Sequence, residues 1–275
     1  DRTLLKGIKL FPAGSYAYIS LSAMNHELET AKYWSWYFSE PEKPLSKNEY
    51  IEELDRLFRQ AVNRQLISDV DVGAYLSGGM DSGSITAIAA KQLPYMKTFT
   101  CGFDLRTASG LELGFDEREK AEYMSYLFKT EHYEMVLKSG DMERILPKLT
   151  WHIEEPRVGQ SYPNYYAAQL ASKFLKVILS GGGGDELFGG YPWRYYRAAD
   201  PIDDFEQYVD KYYLYWQRLI DNRHIKEIFR PVWDQVKHVW TRDIFRDVFL
   251  KHEHNLKKPE DYVNHSMTFE AKTFL

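Results

Sequence analysis

A glycine-rich turn between an apolar strand and a helix constrains the fold of this chain more than any other stretch. Residues 70–76 form a short apolar run with the β-branched and aromatic content of a buried strand. The run stops at Ser77-Gly78-Gly79, and a helical pattern begins at Ser82. This order directs several backbone N–H groups and the positive end of a helix dipole at one point. The turn therefore predicts a cradle for phosphate or pyrophosphate.

The acid in this turn separates it from the common nucleotide loops. Asp81 stands where the P-loop pattern requires a lysine, and the third glycine of the dinucleotide fingerprint is absent. A carboxylate and a phosphate repel each other, but they can lie side by side when both bind the same Mg²⁺. The alternative is a glycine-rich surface turn that happens to contain an aspartate. The flanking strand and helix favour the cradle, with Asp81 as a metal-binding and catalytic candidate.

Strand and helix patterns alternate through the middle of the chain. The predicted strands are 70–76, 97–103, 131–137 and 176–180, and the predicted helices are 82–92, 116–128, 141–152 and 164–174. Strands separated by helices of this length indicate an α/β fold with a parallel, doubly wound sheet. Ligands of such sheets bind beyond the carboxyl ends of the strands. Leu76–Ser77, Cys101–Gly102 and Ser180–Gly181 lie at such ends.

The two ends of the chain have different patterns. Residues 1–40 predict a short β segment, with strands at 7–14, 16–19 and 32–37 around a Pro-Ala-Gly turn. After a short linker, Ser46 and Glu49 predict the capping box of a helix. Beyond residue 200 the chain is helical, amphipathic and aromatic, which predicts a mostly structural layer of extra helices. We expect a domain boundary near residue 40, separating residues 1–40 from 41–275.

A second glycine run follows the last predicted strand, from Ser180 to Tyr191. Its consecutive glycines allow a close approach of the backbone to a ligand. Asp185 then lies at the start of a helical turn, where an acid suits the helix dipole. A flexible loop is the alternative. If the two runs face one another, Asp81 and Asp185 can share Mg²⁺ and the β- and γ-phosphates of a nucleotide.

Composition excludes several classes of function. The net charge is −5, from 35 basic and 40 acidic residues without a basic block, so nucleic acid is not an expected partner. The single cysteine, Cys101, excludes an internal disulfide framework and indicates a reducing, cytoplasmic location. No apolar run predicts a membrane span, and the start carries no signal-peptide pattern. The chain starts at Asp1 and ends in mid-pattern at Leu275, which suggests an excerpt of a longer protein.

Three motifs together resemble the synthetase domain of the glutamine-hydrolysing asparagine synthetases, which belong to the N-type ATP pyrophosphatases. These motifs are Leu76–Ser82, Trp151–Pro156 and Ser180–Tyr191. Residues 1–40 are similar to the closing segment of that family's glutaminase domain, and residues 270–275 are similar to a helix of its synthetase half. The resemblance implies the parallel sheet of the ATP pyrophosphatase type, with the synthetase domain truncated at its C-terminal end.

The resemblance also implies a reaction. The family activates the side-chain carboxylate of aspartate with ATP and Mg²⁺, releases pyrophosphate, and lets ammonia from glutamine displace AMP to give asparagine. It implies a glutaminase domain in the parent chain and is compatible with a homodimer. Related enzymes that share the motifs act on other carboxylates, among them the β-lactam and carbapenam synthetases and the lasso-peptide cyclases. A third hypothesis is that the chain is an ATP-binding module without catalytic activity.

The resemblance implies a role for individual residues of this sequence, each at a position that matches a motif of the family. The residues expected to bind the nucleotide and its pyrophosphate are Leu76, Ser77, Gly78, Gly79, Asp81, Ser82, Cys101, Ser180 and Gly181. Of these, Leu76 and Cys101 would hold the adenine and ribose region through their backbones, although free cysteines are more commonly buried packing residues. Asp81 and Asp185 would be linked through Mg²⁺. Glu154 and Glu155 would line the acceptor pocket, or would simply form the acidic end of a helix that Pro156 stops.

The chain departs from the family pattern in two ways. Gly182 occupies the position where the family carries an acid that supports formation of the aspartyl-adenylate. Either this chain catalyses poorly, or another group substitutes, or the acceptor differs. The catalytic lysine of the family falls beyond Leu275, and the amino-terminal cysteine of the glutaminase is absent too. We therefore expect the chain as given not to hydrolyse glutamine.

Overall fold

The computed structural model describes most of the chain in two compact units. The described residues are 3, 5–20, 28–38, 40–107, 112–154, 161–199, 204–216, 220–250 and 256–273. One unit comprises residues 45–182, and the other comprises residues 1–44 together with 183–275. No described helix is both long enough and apolar enough to cross a membrane.

The amino-terminal segment contains a short antiparallel ribbon. Its strands are β1 (Ser15–Ala17) and β2 (Thr30–Lys32), paired with Ser15 opposite Lys32. A short β segment is therefore confirmed, but the predicted strands 7–14, 16–19 and 32–37 were wrong in extent.

The physical reason for this error lies around Gly14. Pro12 carries no N–H for a strand ladder, and Gly14 adopts a φ of +63°, which turns the chain just before β1. The Gly14 carbonyl accepts hydrogen bonds from the backbone N–H groups of Tyr33 and Trp34, at 2.9 and 3.1 Å. The ribbon thus joins segments that are distant in sequence, which local alternation does not reveal.

The unit of residues 45–182 contains the predicted parallel sheet. Its elements are α1 (Lys47–Gln65), β3 (Val72–Tyr75), α2 (Met80–Ala89), β4 (Lys97–Phe103), a 3₁₀ helix (Glu112–Phe115), α3 (Arg118–Phe128), β5 (Glu131–Leu137), α4 (Asp141–Ile153), α5 (Ser161–Ala171) and β6 (Val177–Leu179). Within the described residues the sheet has the order β5-β4-β3-β6, and each pair of neighbours is parallel. The α/β fold class is confirmed.

The first helix begins where its capping box predicts. The Ser46 hydroxyl accepts a hydrogen bond from the Glu49 backbone at 3.3 Å, and the Glu49 carboxylate accepts one from the Ser46 backbone at 2.8 Å. These hydrogen bonds hold the pKa of the Glu49 carboxyl below its usual value. Such a cap satisfies two backbone N–H groups that the helix leaves unpaired, so α1 starts at Lys47 for a local reason.

Helices cover both faces of the sheet. On one face, Ala74 of β3 packs with Val62 of α1, Ala89 of α2 and Met96. On the other face, Phe99 of β4 is almost fully buried against residues of and just beyond α5, including Ala171 and Leu175. Because side chains alternate across a strand, the two faces need separate apolar sets, and the sequence supplies both.

The sheet places the two glycine runs side by side. β3 and β6 are neighbours, with Ala74 opposite Leu179. Both strands are parallel, so the turns that follow them leave the same edge of the sheet. The Ser77 turn and the Ser180 turn therefore start next to each other, as predicted from the strand ends.

The remaining helices belong to the other unit. They are α6 (Gly184–Phe188), α7 (Pro192–Ala199), α8 (Phe205–Trp216), α9 (Asn222–Ile228), a 3₁₀ helix (Arg230–Val232), α10 (Trp233–Val236), α11 (Thr241–Leu250) and α12 (Pro259–Thr273). Aromatic side chains dominate the core of this unit, with Tyr208 and Tyr212 fully buried against Phe245, Phe249 and Phe269. The predicted aromatic helical layer is confirmed.

Candidate functional site

Two serines brace the turn after β3. The Ser82 hydroxyl accepts a hydrogen bond from the Ser77 backbone N–H at 3.1 Å and lies 3.0 Å from the Ser77 hydroxyl. The Ser77 hydroxyl in turn accepts from the Gly79 N–H at 3.3 Å. The Gly83 N–H donates to the Gly79 carbonyl at 3.0 Å, so α2 starts directly at the turn. The serines predicted to bind pyrophosphate thus hold each other and fix the backbone.

Gly78 is required by both its conformation and its neighbours. Its φ is +76°, in the region that side chains other than glycine rarely adopt. A Cβ at this position would overlap the Cβ of Lys120 and would lie 3.2 Å from the Ala121 backbone nitrogen. The first turns of α3 therefore pack directly on the glycine turn.

The second glycine run contacts the first at Gly181. A Cβ at Gly181 would lie 2.7 Å from the Ser82 nitrogen and 3.0 Å from the Asp81 Cβ. The Ser180 hydroxyl accepts a hydrogen bond from the Gly182 N–H at 3.2 Å, which shapes the chain as it leaves β6. The structure thus brings together the predicted residues Ser180 and Gly181 with the first turn of α2.

The two predicted metal-binding aspartates occupy similar local positions in different units. Asp81 is half-buried in the first turn of α2, and Asp185 is half-buried in the first turn of α6. Both carboxylates lie at the helix end whose dipole favours negative charge. The pairing of Asp81 with Asp185 through one metal stays a prediction.

Leu76 and Cys101 lie at or near the carboxyl edge of the sheet. Leu76 is fully buried, its N–H donates to the Phe99 carbonyl at 3.0 Å, and its carbonyl accepts from the Thr100 hydroxyl. Burial raises the pKa of the Cys101 thiol to about 12, and Arg118 acts in the opposite direction. The thiol is therefore protonated at neutral pH, which supports packing over nucleophilic chemistry.

Glu117 is a residue of this site that sequence reasoning missed. Its carboxyl group is half-buried, and Ser77 and Lys120 both influence its pKa. Burial raises the pKa of the Glu117 carboxyl, while Lys120 and the Ser77 hydroxyl act in the opposite direction. The signal that could have found it is the acidic pair Asp116-Glu117, which opens the helix that follows β4.

Arg118 anchors this acidic pair to the edge of the sheet. Its guanidinium donates to the Asp116 carboxylate at 2.7 Å and to the Phe103 carbonyl at 2.8 Å. The Asp116 carboxylate also accepts from the Arg118 backbone N–H at 3.3 Å. The helix begins at Arg118, two residues after the predicted start, and the Arg118 backbone N–H is the one that Asp116 accepts.

The structure describes only one of the two glutamates predicted for the acceptor pocket. Glu154 is exposed and ends α4 with a φ of +59°, and its N–H donates to the Thr150 carbonyl at 3.0 Å. This geometry supports the helix-end interpretation of Glu154. Glu155 and Pro156 lie outside the described residues, and the pocket role of the pair stays a prediction.

Carboxylates of the described residues are not arranged as a self-sufficient metal site. Across those residues, no cluster of three or more His, Cys, Asp or Glu side chains is placed to hold a metal ion. Mg²⁺ commonly takes one or two protein carboxylates and completes its shell with substrate phosphates and water. A single carboxylate beside a phosphate cradle, as at Asp81, fits that mode of binding.

A parallel α/β sheet with a braced glycine turn at its carboxyl edge is the architecture of nucleotide-binding proteins. The family model for asparagine synthase matches residues 53–275. The chain belongs to the asparagine synthase family.

Individual relatives agree with this membership. A putative glutamine-hydrolysing asparagine synthetase 2 of Methanocaldococcus jannaschii is 38% identical over 165 residues, which cover 59% of this chain and 31% of the relative. Asparagine synthetase 1 of Bacillus subtilis is 34% identical over 174 residues, covering 62% and 26%. A putative asparagine synthetase of Mycobacterium bovis is 30% identical over 203 residues, covering 73% and 30%. The chain thus spans less than a third of the length of these relatives.

Proposed function

We propose that this chain is part of the synthetase domain of a glutamine-hydrolysing asparagine synthetase. The parent protein uses ATP to activate the side-chain carboxylate of aspartate and then forms the amide with ammonia from glutamine. The observation that carries the proposal is the contact of Gly181 with Asp81 and Ser82 at the braced turn after β3. The names of the relatives, all glutamine-hydrolysing asparagine synthetases, support aspartate as the acceptor.

The reaction has two balanced steps. A carboxylate oxygen of aspartate attacks the α-phosphorus of ATP, the bond from the α-phosphorus to the bridging oxygen breaks, and pyrophosphate leaves. The nitrogen of ammonia then attacks the acyl carbon, its excess protons pass to solvent, and the carbon–oxygen bond to AMP breaks. Activation is needed because a free carboxylate is a poor electrophile and AMP is a good leaving group. The products are asparagine, AMP and pyrophosphate.

In this proposal the chain contributes positioning and charge stabilisation. The Ser77–Ser82 turn binds the pyrophosphate oxygens, with Gly78 and Gly79 providing the close backbone approach. Leu76 and Cys101 bind the adenosine through their backbones, and Ser180 and Gly181 close the other side, while Glu154 and Glu155 contribute to the wall of the acceptor pocket. The raised pKa of the Cys101 thiol supports a mechanism without a covalent enzyme intermediate.

We assign Mg²⁺ to Asp81 and Asp185. When bound, Mg²⁺ neutralises the charge that develops on the departing pyrophosphate. Asp81 offers a carboxylate in the first turn of α2, beside the turn that receives the phosphates. Asp185 offers a second carboxylate from the first turn of α6.

The proposal extends to the parent protein. Residues 1–40 would close a glutaminase-type domain that supplies ammonia, and residues 41–275 would belong to the synthetase domain. A cytoplasmic location is supported by the single, free cysteine. A homodimer is a further proposal, which light scattering of the complete protein tests.

ATP–pyrophosphate exchange, measured on the complete protein with a panel of carboxylates, tests the proposal. We expect exchange that depends on aspartate and that is abolished by Asp81→Asn. Asp71→Asn is the matched control, because Asp71 is exposed at the amino end of β3, whereas Asp81 follows its carboxyl end. Exchange with another carboxylate but not aspartate would identify a related amide-forming enzyme. ATP binding without any pyrophosphate release would identify a silent nucleotide-binding module.

A further inference from the structure

β4 extends past the end of its neighbour β3 at the carboxyl edge of the sheet. The register between the two strands ends with Tyr75 opposite Phe99, whereas β4 continues to Phe103 beside β5. The Leu76 N–H, just after β3, donates to the Phe99 carbonyl at 3.0 Å. Backbone groups alternate between the two sides of a strand, so Cys101 turns its N–H and carbonyl to the same side as Phe99. The end of β4 therefore presents backbone groups at the edge where ligands of such sheets bind.

The side chain of Arg118 packs on this end of β4 from the first turn of α3. Gly102 is buried, and a Cβ built on it would lie 2.5 Å from Cδ and Nε of Arg118 and 2.6 Å from its Cγ. The φ of Gly102 is not positive, so the lack of space, rather than the backbone conformation, requires glycine there. The aliphatic part of Arg118 thus lies directly against the Gly102 backbone.

The guanidinium of Arg118 is fixed by a carboxylate and by a strand carbonyl. Its Nε donates to one carboxylate oxygen of Asp116 at 2.9 Å, and its Nη2 donates to the other at 2.7 Å. Two parallel hydrogen bonds of this kind are the strongest form of an arginine–carboxylate pair. The same Nη2 donates to the Phe103 carbonyl at 2.8 Å. The Asp116 side chain is only 9% exposed, and the Arg118 guanidinium holds the pKa of its carboxyl below the usual value.

β5 and Arg118 together determine where the end of β4 lies. On one side, β5 accompanies β4 to Phe103, and the Asp104 N–H beyond it donates to the Leu137 carbonyl at 2.8 Å. On the other side, the register with β3 has already ended, so that ladder no longer fixes the strand. The packing of Arg118 on the strand and its bond to the Phe103 carbonyl supply the second support. The direction of the Cys101 N–H and carbonyl therefore depends on Arg118.

We propose that Arg118 is a positioning residue for the adenosine half of the nucleotide. Together with Asp116, it fixes the Cys101–Phe103 end of β4, whose backbone receives the adenosine, while the Ser77–Ser82 turn receives the phosphates. The inference rests on the proposed function, because that proposal assigns the adenosine to the backbone of Cys101. All of these residues belong to one compact unit. Arg118 therefore acts on one half of the ligand and not on the other.

The sharpest test replaces the planar guanidinium and keeps the charge. Arg118→Lys retains a positive charge and an aliphatic stem but cannot make two parallel hydrogen bonds to Asp116. Calorimetry on the complete protein compares AMP, which probes the adenosine site, with inorganic pyrophosphate, which probes the turn after β3. We expect AMP binding to weaken about three- to tenfold, the size of about one hydrogen bond. Pyrophosphate binding should stay within about twofold of wild type, because the serines of the turn hold it independently of Arg118.

Arg56→Lys is the matched control for this substitution. Arg56 makes the same two parallel hydrogen bonds, to Glu53 at 2.7 and 2.6 Å, on an exposed face of α1. We expect it to leave the affinities for AMP and for pyrophosphate unchanged. Thermal unfolding of both variants completes the comparison. A purely structural role of Arg118 would weaken the binding of AMP and of pyrophosphate together, in step with a lower thermal stability.

A double-variant cycle tests the contact between Arg118 and Gly102. Gly102→Ala displaces the arginine without removing its charge and should weaken AMP binding by itself. In the Arg118→Ala background the new methyl group has room, so the additional effect of Gly102→Ala should be smaller. If Arg118→Ala fails to fold because Asp116 loses its partner, Arg118→Lys still decides the question.

The outcomes distinguish the inference from the proposed function. Unchanged AMP binding in Arg118→Lys overturns the inference, as do an equal loss of AMP and pyrophosphate binding or strictly additive effects in the double variant. Wild-type protein that binds AMP but shows no aspartate-dependent exchange contradicts the proposed function and leaves the positioning role intact. Wild-type protein that binds AMP but no pyrophosphate contradicts the phosphate cradle, and weaker AMP binding at unchanged thermal stability then decides the inference. Wild-type protein that does not bind AMP overturns both.

Discussion

The two glycine runs that follow β3 and β6 look alike in sequence and differ in what the structure demands of them. In the first, Gly78 has a positive φ and no room for a Cβ against Lys120. In the second, Gly181 has no room for a Cβ against Ser82, whereas a Cβ at Gly182 would meet only the Ser180 hydroxyl, at 3.5 Å. Glycine is therefore required at some of these positions and optional at another.

The runs also differ in how their backbones are held. In the first, hydrogen bonds between Ser77, Gly79 and Ser82 fix the turn from within. In the second, the Gly182 N–H donates to the Ser180 hydroxyl, the Gly190 N–H donates to the Asp185 carbonyl at 2.8 Å, and Gly181 packs against the first turn of α2. The first turn is thus held by its own serine side chains, and the second is held by backbone hydrogen bonds together with its contact with α2.

The largest effect is expected from Gly181→Ala. The new Cβ would meet a backbone nitrogen of α2 at 2.7 Å, and backbone cannot move aside as a side-chain end can. Displacing the first turn of α2 by a fraction of an ångström should lower ATP–pyrophosphate exchange on the order of a hundredfold. Gly182→Ala is the matched control. Exchange within twofold of wild type in Gly181→Ala would show that the two runs do not need their close contact.

The second-largest effect is expected from Gly78→Ala, which should lower the free energy of unfolding. Gly78→Ala places a Cβ at a φ of +76°, which costs about 1–3 kcal/mol in backbone strain before the overlap with Lys120 is counted. We expect the free energy of unfolding, measured with denaturant, to fall by at least that amount. Gly114→Ala serves as the control, since a Cβ there meets nothing within 4 Å and its φ is not positive. Equal stability of the two variants would contradict the packing of α3 on the turn.

A smaller, pH-dependent effect is expected at Glu117. Burial raises the pKa of this carboxyl, so the folded state binds its proton more tightly than the unfolded state does. The resulting stabilisation is fully present below the unfolded pKa and is lost as pH rises through the folded pKa. Glu117→Gln should therefore gain stability relative to wild type between pH 4 and pH 7, by less than about 1 kcal/mol because solvent reaches the group.

Chemical denaturation across this pH range measures the effect of Glu117→Gln. Glu119→Gln, an exposed change in the first turn of the same helix, gives the baseline. A stability difference between wild type and Glu117→Gln that does not vary with pH would mean that burial does not desolvate the carboxyl.

Local sequence patterns were sufficient to predict the strands of the parallel sheet and the glycine turn after β3. The predicted strands 97–103 and 131–137 match β4 and β5 in both bounds, because β-branched, aromatic or other apolar residues recur in each run. Strand 70–76 was predicted slightly too long, since β3 ends at Tyr75. The glycine turn was predictable because its chemistry lies within one short stretch.

Contacts between residues that are far apart in the sequence could not be predicted from the sequence. Glu270 and Arg194 are separated by 76 residues, and no local pattern links a glutamate in an amphipathic helix to an arginine so far away. The close approach of Lys120 to Gly78 depends in the same way on how α3 packs over the turn. Such pairs follow from tertiary packing, which one sequence without an alignment does not reveal.

The smallest effect on stability is expected at Gly182, where the family carries an acid. The position is exposed, its φ is not positive, and a Cβ has room. Gly182→Asp should change the free energy of unfolding by no more than about 0.5 kcal/mol. If the carboxylate supports adenylate formation as in the family, aspartate-dependent turnover should rise severalfold, while Gly182→Asn, of the same size without the charge, should not raise it.

The comparison of Gly182→Asp with Gly182→Asn also bears on the acceptor. A gain that requires the charge would mean that the second glycine run is a functioning adenylation loop that lacks one group. No gain in either variant, with exchange on another carboxylate intact, would mean that the pocket is built for a different acceptor. A large loss of stability in both would show instead that the run needs glycine at Gly182 as strictly as at Gly181, and the contrast between the two positions would be wrong.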